Sequence, residues 1–291
     1  MALDGKATIL LTFDVEDWFQ VENFKGLVPF SSWNRYELRV RQNTEKILQL
    51  LADFPFSISA TFFILGWVAE KCPRMVRDIL AQGHEVASHG YGHALCGNMS
   101  VRGLYRDLRD SKALLEDLTG EPVYGYRAPS FSISDAALAQ VKRAGYTYDS
   151  SFNSFASHGR YGSLDLSDAV EKKGLYQMDT SFYEVPVSNL TWGGRVIPLG
   201  GGGYFRLFPG LLFQAGIKQV LKKQDHAVIY LHPWEFDPDQ PRMEQAPTGF
   251  KFRHYVNLSK THAKLAALIQ RFSPCRFQSI HGFLKDGVMD G

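Results

Sequence analysis

The chain has 291 residues, 45% of them hydrophobic and 21% charged, which is enough apolar content to bury a large core. A formal net charge of +2 argues against a nucleic-acid binder with a strongly basic face, and three scattered cysteines suggest neither a disulfide framework nor a zinc-type CxxC pair. No secretory leader and no membrane-spanning run are visible. The sequence therefore predicts a soluble cytoplasmic protein without a nucleic-acid partner.

Strand-like and helix-like segments alternate along the first half of the chain. This repeated βα alternation is typical of a parallel sheet with helices outside it. Because candidate functional residues follow different strands, the pattern favours a barrel with its site at the strand C-terminal ends. The predicted strands are 8–13, 58–65, 85–88 and 146–149, and the predicted helices are 43–53 (with Asn43 as N-cap), 73–82, 101–119 and 134–144.

The second half is less regular. Residues 152–182 mix serine, glycine and charge, which predicts loops over the barrel mouth. Gly200–Gly203 are four consecutive glycines, which indicate either a flexible linker or a shaped loop that approaches a substrate. The remaining predictions are a strand at 184–187, a surface loop at 237–252, a helix at 259–271 and a strand at 276–280.

Two histidines lie four residues apart in the segment His89-Gly90-Tyr91-Gly92-His93. On a helix this spacing would place both rings on one face, but each glycine costs a helix about 1 kcal/mol relative to alanine. The pattern instead predicts a strand that ends at Ser88 and a loop that carries both rings. Because neutral imidazole is the commonest metal-binding side chain, the pair indicates either two ligands of a metal site or a turn with two exposed histidines.

Three acids, Asp14, Glu16 and Asp17, follow the first predicted strand. The C-terminal end of a buried parallel strand is where such folds place active sites. Extended geometry directs Asp14 and Glu16 to the same side. A solvated loop would also explain the acids, but acids at one strand end and a histidine pair at another favour a shared site.

Other strand-like segments end in side chains that can carry chemistry. Residues 228–231 run into His232, and the proline that follows stops ladder pairing. Arg127 lies beside a proline turn at Pro129, and Asp149 ends the strand predicted at 146–149. Taken singly, each of these residues has a structural explanation as well.

In this order, the segments resemble the motifs of polysaccharide deacetylases with a NodB-homology domain, the fourth family of carbohydrate esterases. The first family motif usually reads Thr-Phe-Asp-Asp-Gly, and residues 12–17 read Thr-Phe-Asp-Val-Glu-Asp. The other four motifs are matched by 89–93, by Arg-Ala-Pro-Ser-Phe at 127–131, by Asp149 and by Leu-His at 231–232.

Three segments, 13–19, 201–209 and 232–238, resemble one subgroup of this family. The subgroup consists of deacetylases found beside bacterial exopolysaccharide-export and exosortase loci. The resemblance implies an α/β fold, specifically a distorted (β/α)7 barrel. It also implies one polysaccharide deacetylase domain over residues 1–291, with a subgroup-specific part at about 200–291.

The match departs from the family pattern at one ligand position. In the usual pattern the first aspartate is the base and the adjacent aspartate binds metal, but Val15 stands at that second position and cannot bind a metal. In some relatives the metal ligand lies two residues after the first aspartate of the motif. By that comparison Glu16 is the third ligand beside His89 and His93, and Asp17 is the alternative carboxylate.

The resemblance also implies roles in metal-dependent deacetylation. The metal would be Zn²⁺, although two imidazoles and a carboxylate also suit Fe²⁺, Ni²⁺ or Co²⁺. Asp14 would take a proton from the attacking water, and His232 would protonate the departing amine. Arg127 would either orient Asp14 or form a purely structural ion pair. Asp149 would orient His232 or Arg127, or cap a helix.

Four residues are candidates for substrate contact: Trp18, Pro129, Tyr204 and Trp234. The two tryptophans adjoin presumed catalytic loops, where they either stack on sugar rings or belong to the core. The expected substrate is an N-acetylated sugar of an exopolysaccharide, or of its lipid-linked precursor at the inner membrane face. The oligomeric state stays open.

Two other functions remain possible from the sequence. The first is a related C–N hydrolase that acts on a small amide, since the fold resembles that of some allantoin hydrolases, which typically lack the full histidine pair. The second is a non-catalytic sugar-binding relative. The joint presence of Asp14, His89, His93, Arg127 and His232 argues against it.

Overall fold

A computed structural model describes residues 7–155 and 161–289. It consists of a curled sheet with helices packed around it. The strands are β1 (Thr8–Val15), β2 (Thr61–Ile64), β3 (Glu85–Ser88), β4 (Gly125–Tyr126), β5 (Tyr148–Asp149), β6 (Val170–Lys172), β7 (Leu175–Gln177), β8 (Tyr183–Glu184), β9 (Asn189–Trp192), β10 (Arg195–Pro198), β11 (His226–Leu231) and β12 (Arg276–Phe277).

Helices occupy the connections between the strands and cover the outside of the sheet. None of those in the described residues is long and apolar enough to cross a membrane. They are α1 (Val40–Ala52), α2 (Gly66–Lys71), α3 (Pro73–Ala81), α4 (Val101–Thr119), α5 (Asp135–Arg143), α6 (Gly202–Leu207), α7 (Gly210–Gln224), α8 (Thr248–Tyr255), α9 (Thr261–Arg271) and α10 (Ile280–Leu284).

Seven of the described strands form a parallel array in the order β11-β1-β2-β3-β4-β5-β8. β1 lies inside this array and is buried along its whole length. Beyond β8, the N–H of Ser188 donates to the carbonyl of Val228 and Gly201 pairs with Tyr230, which brings the chain back beside β11. The predicted distorted (β/α)7 barrel is confirmed.

Several predicted helix ends are confirmed by their capping interactions. The Ser134 side chain accepts a hydrogen bond from the N–H of Ala137 at the start of α5, and Gly120 ends α4 in the left-handed conformation, with φ 72°. The first helix differs from its prediction. It begins at Val40 rather than after Asn43, and Asn43 lies buried inside it, where its amide donates to Asp237.

The second half holds more regular structure than its composition indicates. The predicted loop at 152–182 contains the antiparallel strands β6 and β7, while its residues 156–160 lie outside the described residues. The predicted surface loop at 237–252 contains the first turns of α8. The glycine run is neither a linker nor part of the cleft lining described below. Gly201 is the N-cap of α6, and a Cβ at Gly202 would lie 2.0 Å from a carboxylate oxygen of Glu235.

Candidate active site

One cleft at the C-terminal ends of the barrel strands gathers most of the predicted functional residues. Asp14 and Glu16 lie at the end of β1, His89 follows β3, and His232 follows β11. The arrangement agrees with the placement expected for a barrel of parallel strands. The cleft is lined by Asp14, Glu16, Val21, Glu22, Asn23, His89, His93, Ser130, Phe131, Tyr161, Tyr230, His232 and Trp234.

Glu16, His89 and His93 form a compact buried cluster. One donor atom from each lies within 4.8 Å of the others. Nδ1 of His89 is 2.7 Å from the carbonyl oxygen of Arg127, so this nitrogen carries the proton and Nε2 is left available to a ligand. The loop that returns His93 to the cluster depends on Gly90, which has φ 72°. A larger residue would not fit there, because a Cβ added at this position would lie 2.8 Å from a carboxylate oxygen of Asp107.

The electrostatics of the cluster suit a divalent cation. Burial alone would raise the pKa of Glu16, but His93, His232 and His89 outweigh it and lower that pKa to about 2. Burial lowers the pKa of His89 to about 4, which keeps its imidazole neutral. Oε2 of Glu16 is buried and accepts no hydrogen bond from the described residues, although Nε2 of His93 lies 2.9 Å away. An ionised carboxylate and neutral imidazoles are the forms that bind metal, so these residues fit a metal ion.

Asp17 lies outside this cluster. Its Oδ2 accepts hydrogen bonds from the N–H groups of Arg39 and Val40 at the start of α1, at 2.7 and 2.8 Å. Its Oδ1 accepts from the N–H of Trp18. The carboxylate therefore caps a helix, and the geometry favours Glu16 over Asp17 as the third ligand.

Asp14 is held by Arg127, whose side chain is fully buried. The guanidinium NH1 is 2.8 Å from Oδ1 of Asp14 and 2.7 Å from the hydroxyl of Thr12. The other guanidinium nitrogens donate to the carbonyl and hydroxyl of Ser150. Arg127 therefore fixes Asp14 with its side chain and His89 with its backbone carbonyl, which joins two of the sequence motifs in one place.

Asp149 supports the site indirectly. It accepts hydrogen bonds from the N–H and hydroxyl of Ser151, and the same hydroxyl accepts from the N–H of Ala128. No hydrogen bond in the described residues joins Asp149 to His232 or Arg127, and it caps no described helix. Burial raises the pKa of Asp149, and the charge of the nearby Arg127 acts against this rise. Its interaction with Arg127 is therefore electrostatic, and the orientation of Arg127 by Asp149 stays a prediction.

A buried ion-pair chain behind His232 was missed from the sequence. Oε2 of Glu235 accepts from the backbone N–H and from Nδ1 of His232, at 2.8 and 3.1 Å. Nε of Arg206 is 2.7 Å from Oε1 of Glu235. Burial alone would lower the pKa of His232, but Glu235, Glu16 and Asp14 raise it to about 9. A glutamate three residues after a strand-ending histidine has the spacing of a capping box, which was the available signal.

The structure corrects the predicted contact of Trp18. This residue is buried among Phe19 and Tyr36, and its indole N–H donates to the carbonyl of Glu37. It does not line the cleft. It follows the three acids at the end of β1 but points into the core, where its role is packing.

Trp234 does line the cleft, but its ring faces are not open to a sugar. It is 6% exposed, and the imidazoles of His232 and His254 both stack on it. Its indole N–H points to Oε1 of Glu16, at 3.3 Å. Pro129 and Tyr204 do not line the cleft; the residues that do so nearby are Ser130, Phe131, Tyr161 and Tyr230.

Comparison with known proteins places this chain in a family. The family model described as Polysaccharide deacetylase matches residues 4–148. A chitooligosaccharide deacetylase from Sinorhizobium fredii is 33% identical over 174 residues, which are 53% of this chain and 78% of that protein. The chain belongs to the polysaccharide deacetylase family. The predicted resemblance to this family is confirmed, while the narrower subgroup stays a prediction.

The second half of the chain matches another model, described as Domain of unknown function (DUF3473), over residues 150–283. That region supplies β8, β11, His232 and Glu235. The two matches therefore meet inside one barrel and one cleft.

Two further relatives add context. A peptidoglycan-N-acetylglucosamine deacetylase from Bacillus cereus is 34% identical over 103 residues, 35% of this chain and 47% of that protein. The chain spans about half or less of the first curated relatives that it matches, at 47%, 33% and 49% of their lengths. The solved structure titled Puue Allantoinase superimposes with a TM-score of 0.64 at 16% identity, covering 98% of this chain and 93% of that one, which shows a shared fold.

Proposed function

We propose that this protein is a metal-dependent hydrolase that removes the acetyl group from N-acetylated sugars of an exopolysaccharide or its lipid-linked precursor. The observation that carries the proposal is that three functional elements line one cleft. They are the cluster of Glu16, His89 and His93, the buried Asp14, and the oriented imidazole of His232. Membership of the polysaccharide deacetylase family supports the reaction class. The single domain over residues 1–291 and the cytoplasmic location stay predictions.

Glu16, His89 and His93 would hold a divalent cation, which when bound polarises the acetamide carbonyl and acidifies water. Zn²⁺ suits two imidazoles and a carboxylate, and Fe²⁺, Ni²⁺ and Co²⁺ are alternatives. The carbonyl of Arg127 keeps His89 in the tautomer that this role requires.

Asp14 is the proposed base. It lines the cleft, and Arg127 fixes one of its carboxylate oxygens with a charge-assisted hydrogen bond. The carboxylate would take a proton from the water that attacks the carbonyl carbon. The buried ion pair orients the carboxylate, and general base catalysis needs the base within hydrogen-bond reach of the proton that it takes.

His232 is the proposed acid. Glu235 holds Nδ1, so Nε2 is the ring nitrogen left to the cleft, 3.6 Å from Oε1 of Glu16. From there it would protonate the nitrogen as the C–N bond breaks, because an amine departs poorly unless it is protonated. One water is consumed, and the products are acetate and a free amino sugar.

The test is a comparison of substrates with the metal-loaded protein. We expect acetate release from N-acetylglucosamine oligomers, rising from the monosaccharide to short oligosaccharides. His232→Asn should remove most of this activity, whereas His262→Asn, a change at an exposed histidine, should not. Preference for allantoin over acetamido sugars would support the small-amide alternative. Binding of oligosaccharides without acetate release would support the non-catalytic one.

A further inference from the structure

Three large leucine side chains are exposed where α6 ends and α7 begins. Leu207, Leu211 and Leu212 are 47%, 81% and 65% exposed. Phe213, on the same first turn of α7 as Leu211 and Leu212, is buried in the core, so this turn is held against the protein. Exposed leucines close together in the chain, on an element that is anchored in the core, indicate a surface that binds something apolar.

Basic residues flank these leucines on both sides. Leu207 shares a groove with Lys260 and Lys264 of the α9 region. Leu211 shares a second groove with Lys218 and Arg271. Among the residues that the structure describes, no acidic side chain lines either groove. Lys264 is half-buried, and its Nζ donates to the carbonyls of Phe205 and Phe208, so it is not counted among the free cations. We call six residues the leucine face: Leu207, Leu211, Leu212, Lys218, Lys260 and Arg271.

The charge around the leucine face differs from that of the whole chain. The chain has 32 basic and 30 acidic residues, so its charges nearly balance. Residues 202–224 and 245–285, which contain α6 to α10, have no Asp or Glu but four and seven Lys or Arg, respectively. A second copy of the same face would therefore meet like charges, which disfavours a symmetric dimer through it.

The leucines of the leucine face lie toward the end of the barrel where the cleft opens. α7 leads into β11 through Asp225, so its first turn lies toward the end of β11 from which His232 emerges. Arg206, the residue before Leu207, is bonded to Glu235 behind His232. A surface to which the leucine face binds would therefore lie close to the cleft that contains His232.

We propose that the leucine face docks on an anionic lipid bilayer. The leucines would enter the headgroup region and the lysines and arginine would lie against lipid phosphates, as in other interfacial segments that combine apolar and basic residues. This is peripheral binding and needs no spanning helix. The inference rests on the surface alone and does not depend on the deacetylase activity.

The test is co-sedimentation of the full chain with vesicles. We expect binding to phosphatidylcholine vesicles that contain phosphatidylglycerol, little binding to phosphatidylcholine alone, and loss of binding at high salt. Leu211→Gln with Leu212→Gln should weaken binding by about tenfold or more. The matched control is Val101→Gln with Val170→Gln, two valines that are 59% and 56% exposed elsewhere, and it should bind as the wild type does.

Several results would overturn the inference. They are no binding of the wild type to anionic vesicles, equal binding by the leucine variant, or a leucine-dependent dimer in sedimentation velocity. Circular dichroism of the variants shows whether they are folded. Acetate release from soluble oligosaccharides should match the wild type in the same variants, and this second readout separates failure of the lipid surface from failure of the proposed reaction.

Discussion

Glu235 accepts two hydrogen bonds from His232, one from its backbone N–H at 2.8 Å and one from Nδ1 at 3.1 Å. A single carboxylate oxygen thus fixes both the backbone and the ring of the proposed acid. Arg206 holds the other oxygen of Glu235 and donates to the carbonyls of Arg253, His254 and Val256. The orientation of His232 therefore depends on a series of hydrogen bonds that runs through Glu235 and Arg206 to the backbone of the α8 region.

The first prediction follows from the hydrogen bonds that link His232, Glu235 and Arg206. Glu235→Gln should lower kcat by about tenfold or more, since the amide cannot satisfy both Arg206 and His232 and the ring loses its fixed orientation. Bound metal should stay stoichiometric. Circular dichroism should show whether the variant is folded, and a folded variant with wild-type kcat would contradict the positioning role.

The second prediction separates two neighbouring acids. Glu16→Gln should weaken metal binding strongly, because it removes the anionic donor of the cluster. Asp17→Ala should keep the metal but lower the free energy of unfolding by about 0.5–2 kcal/mol, since it removes the cap of α1. Isothermal titration with Zn²⁺ and urea unfolding measure the two effects. Metal loss in Asp17→Ala together with retention in Glu16→Gln would reverse the assignment.

The third prediction concerns Trp18 as a packing residue. Trp18→Ala should cost about 3–5 kcal/mol of unfolding free energy, as expected for a large buried side chain. Trp192→Ala is the matched control, because Trp192 is 76% exposed and its loss should change stability by under about 0.5 kcal/mol. For kinetics, Trp18→Phe should leave KM for oligosaccharides unchanged. A large rise in KM would restore the sugar-stacking hypothesis.

The contrast between Trp18 and His89 shows what the sequence can and cannot predict. Strand ends, helix caps and the loop after β3 follow from local patterns of apolar residues, glycine and proline, so the barrel and the histidine pair could be predicted. The direction of Trp18 could not, because it depends on Asp17 reaching α1 more than twenty residues later. Arg206 was missed for the same reason, as its partner Glu235 is distant in sequence.

The fourth prediction is a pH dependence of stability at the other end of the barrel. Burial lowers the pKa of His84 from 6.5 to about 4, and its Nδ1 accepts a hydrogen bond from the N–H of Ala60. Below pH 6.5 the unfolded chain binds a proton that the folded chain does not bind until about pH 4. This contribution to stability is therefore complete above pH 6.5 and is lost as the pH falls, at up to about 1.4 kcal/mol per pH unit.

His84→Asn should show a smaller loss of unfolding free energy between about pH 7 and about pH 5 than the wild type does. His262→Asn, at an exposed histidine, serves as the control and should follow the wild type. Urea unfolding at each pH gives the comparison. Equal pH slopes in all three proteins would show that His84 does not contribute.

Glu16, His89 and His93 are proposed to form a metal site that acetamide hydrolysis requires. The most direct measurement is acetate release from an N-acetylglucosamine oligomer by chelator-treated protein as Zn²⁺ is added back. Activity should rise to a plateau at about one metal per chain. Asp14→Asn should bind the same metal but lose about 10²–10⁴-fold in turnover, and His89→Ala with His93→Ala should bind none. Metal-independent acetate release, or stoichiometric metal in the double histidine variant, would contradict the claim.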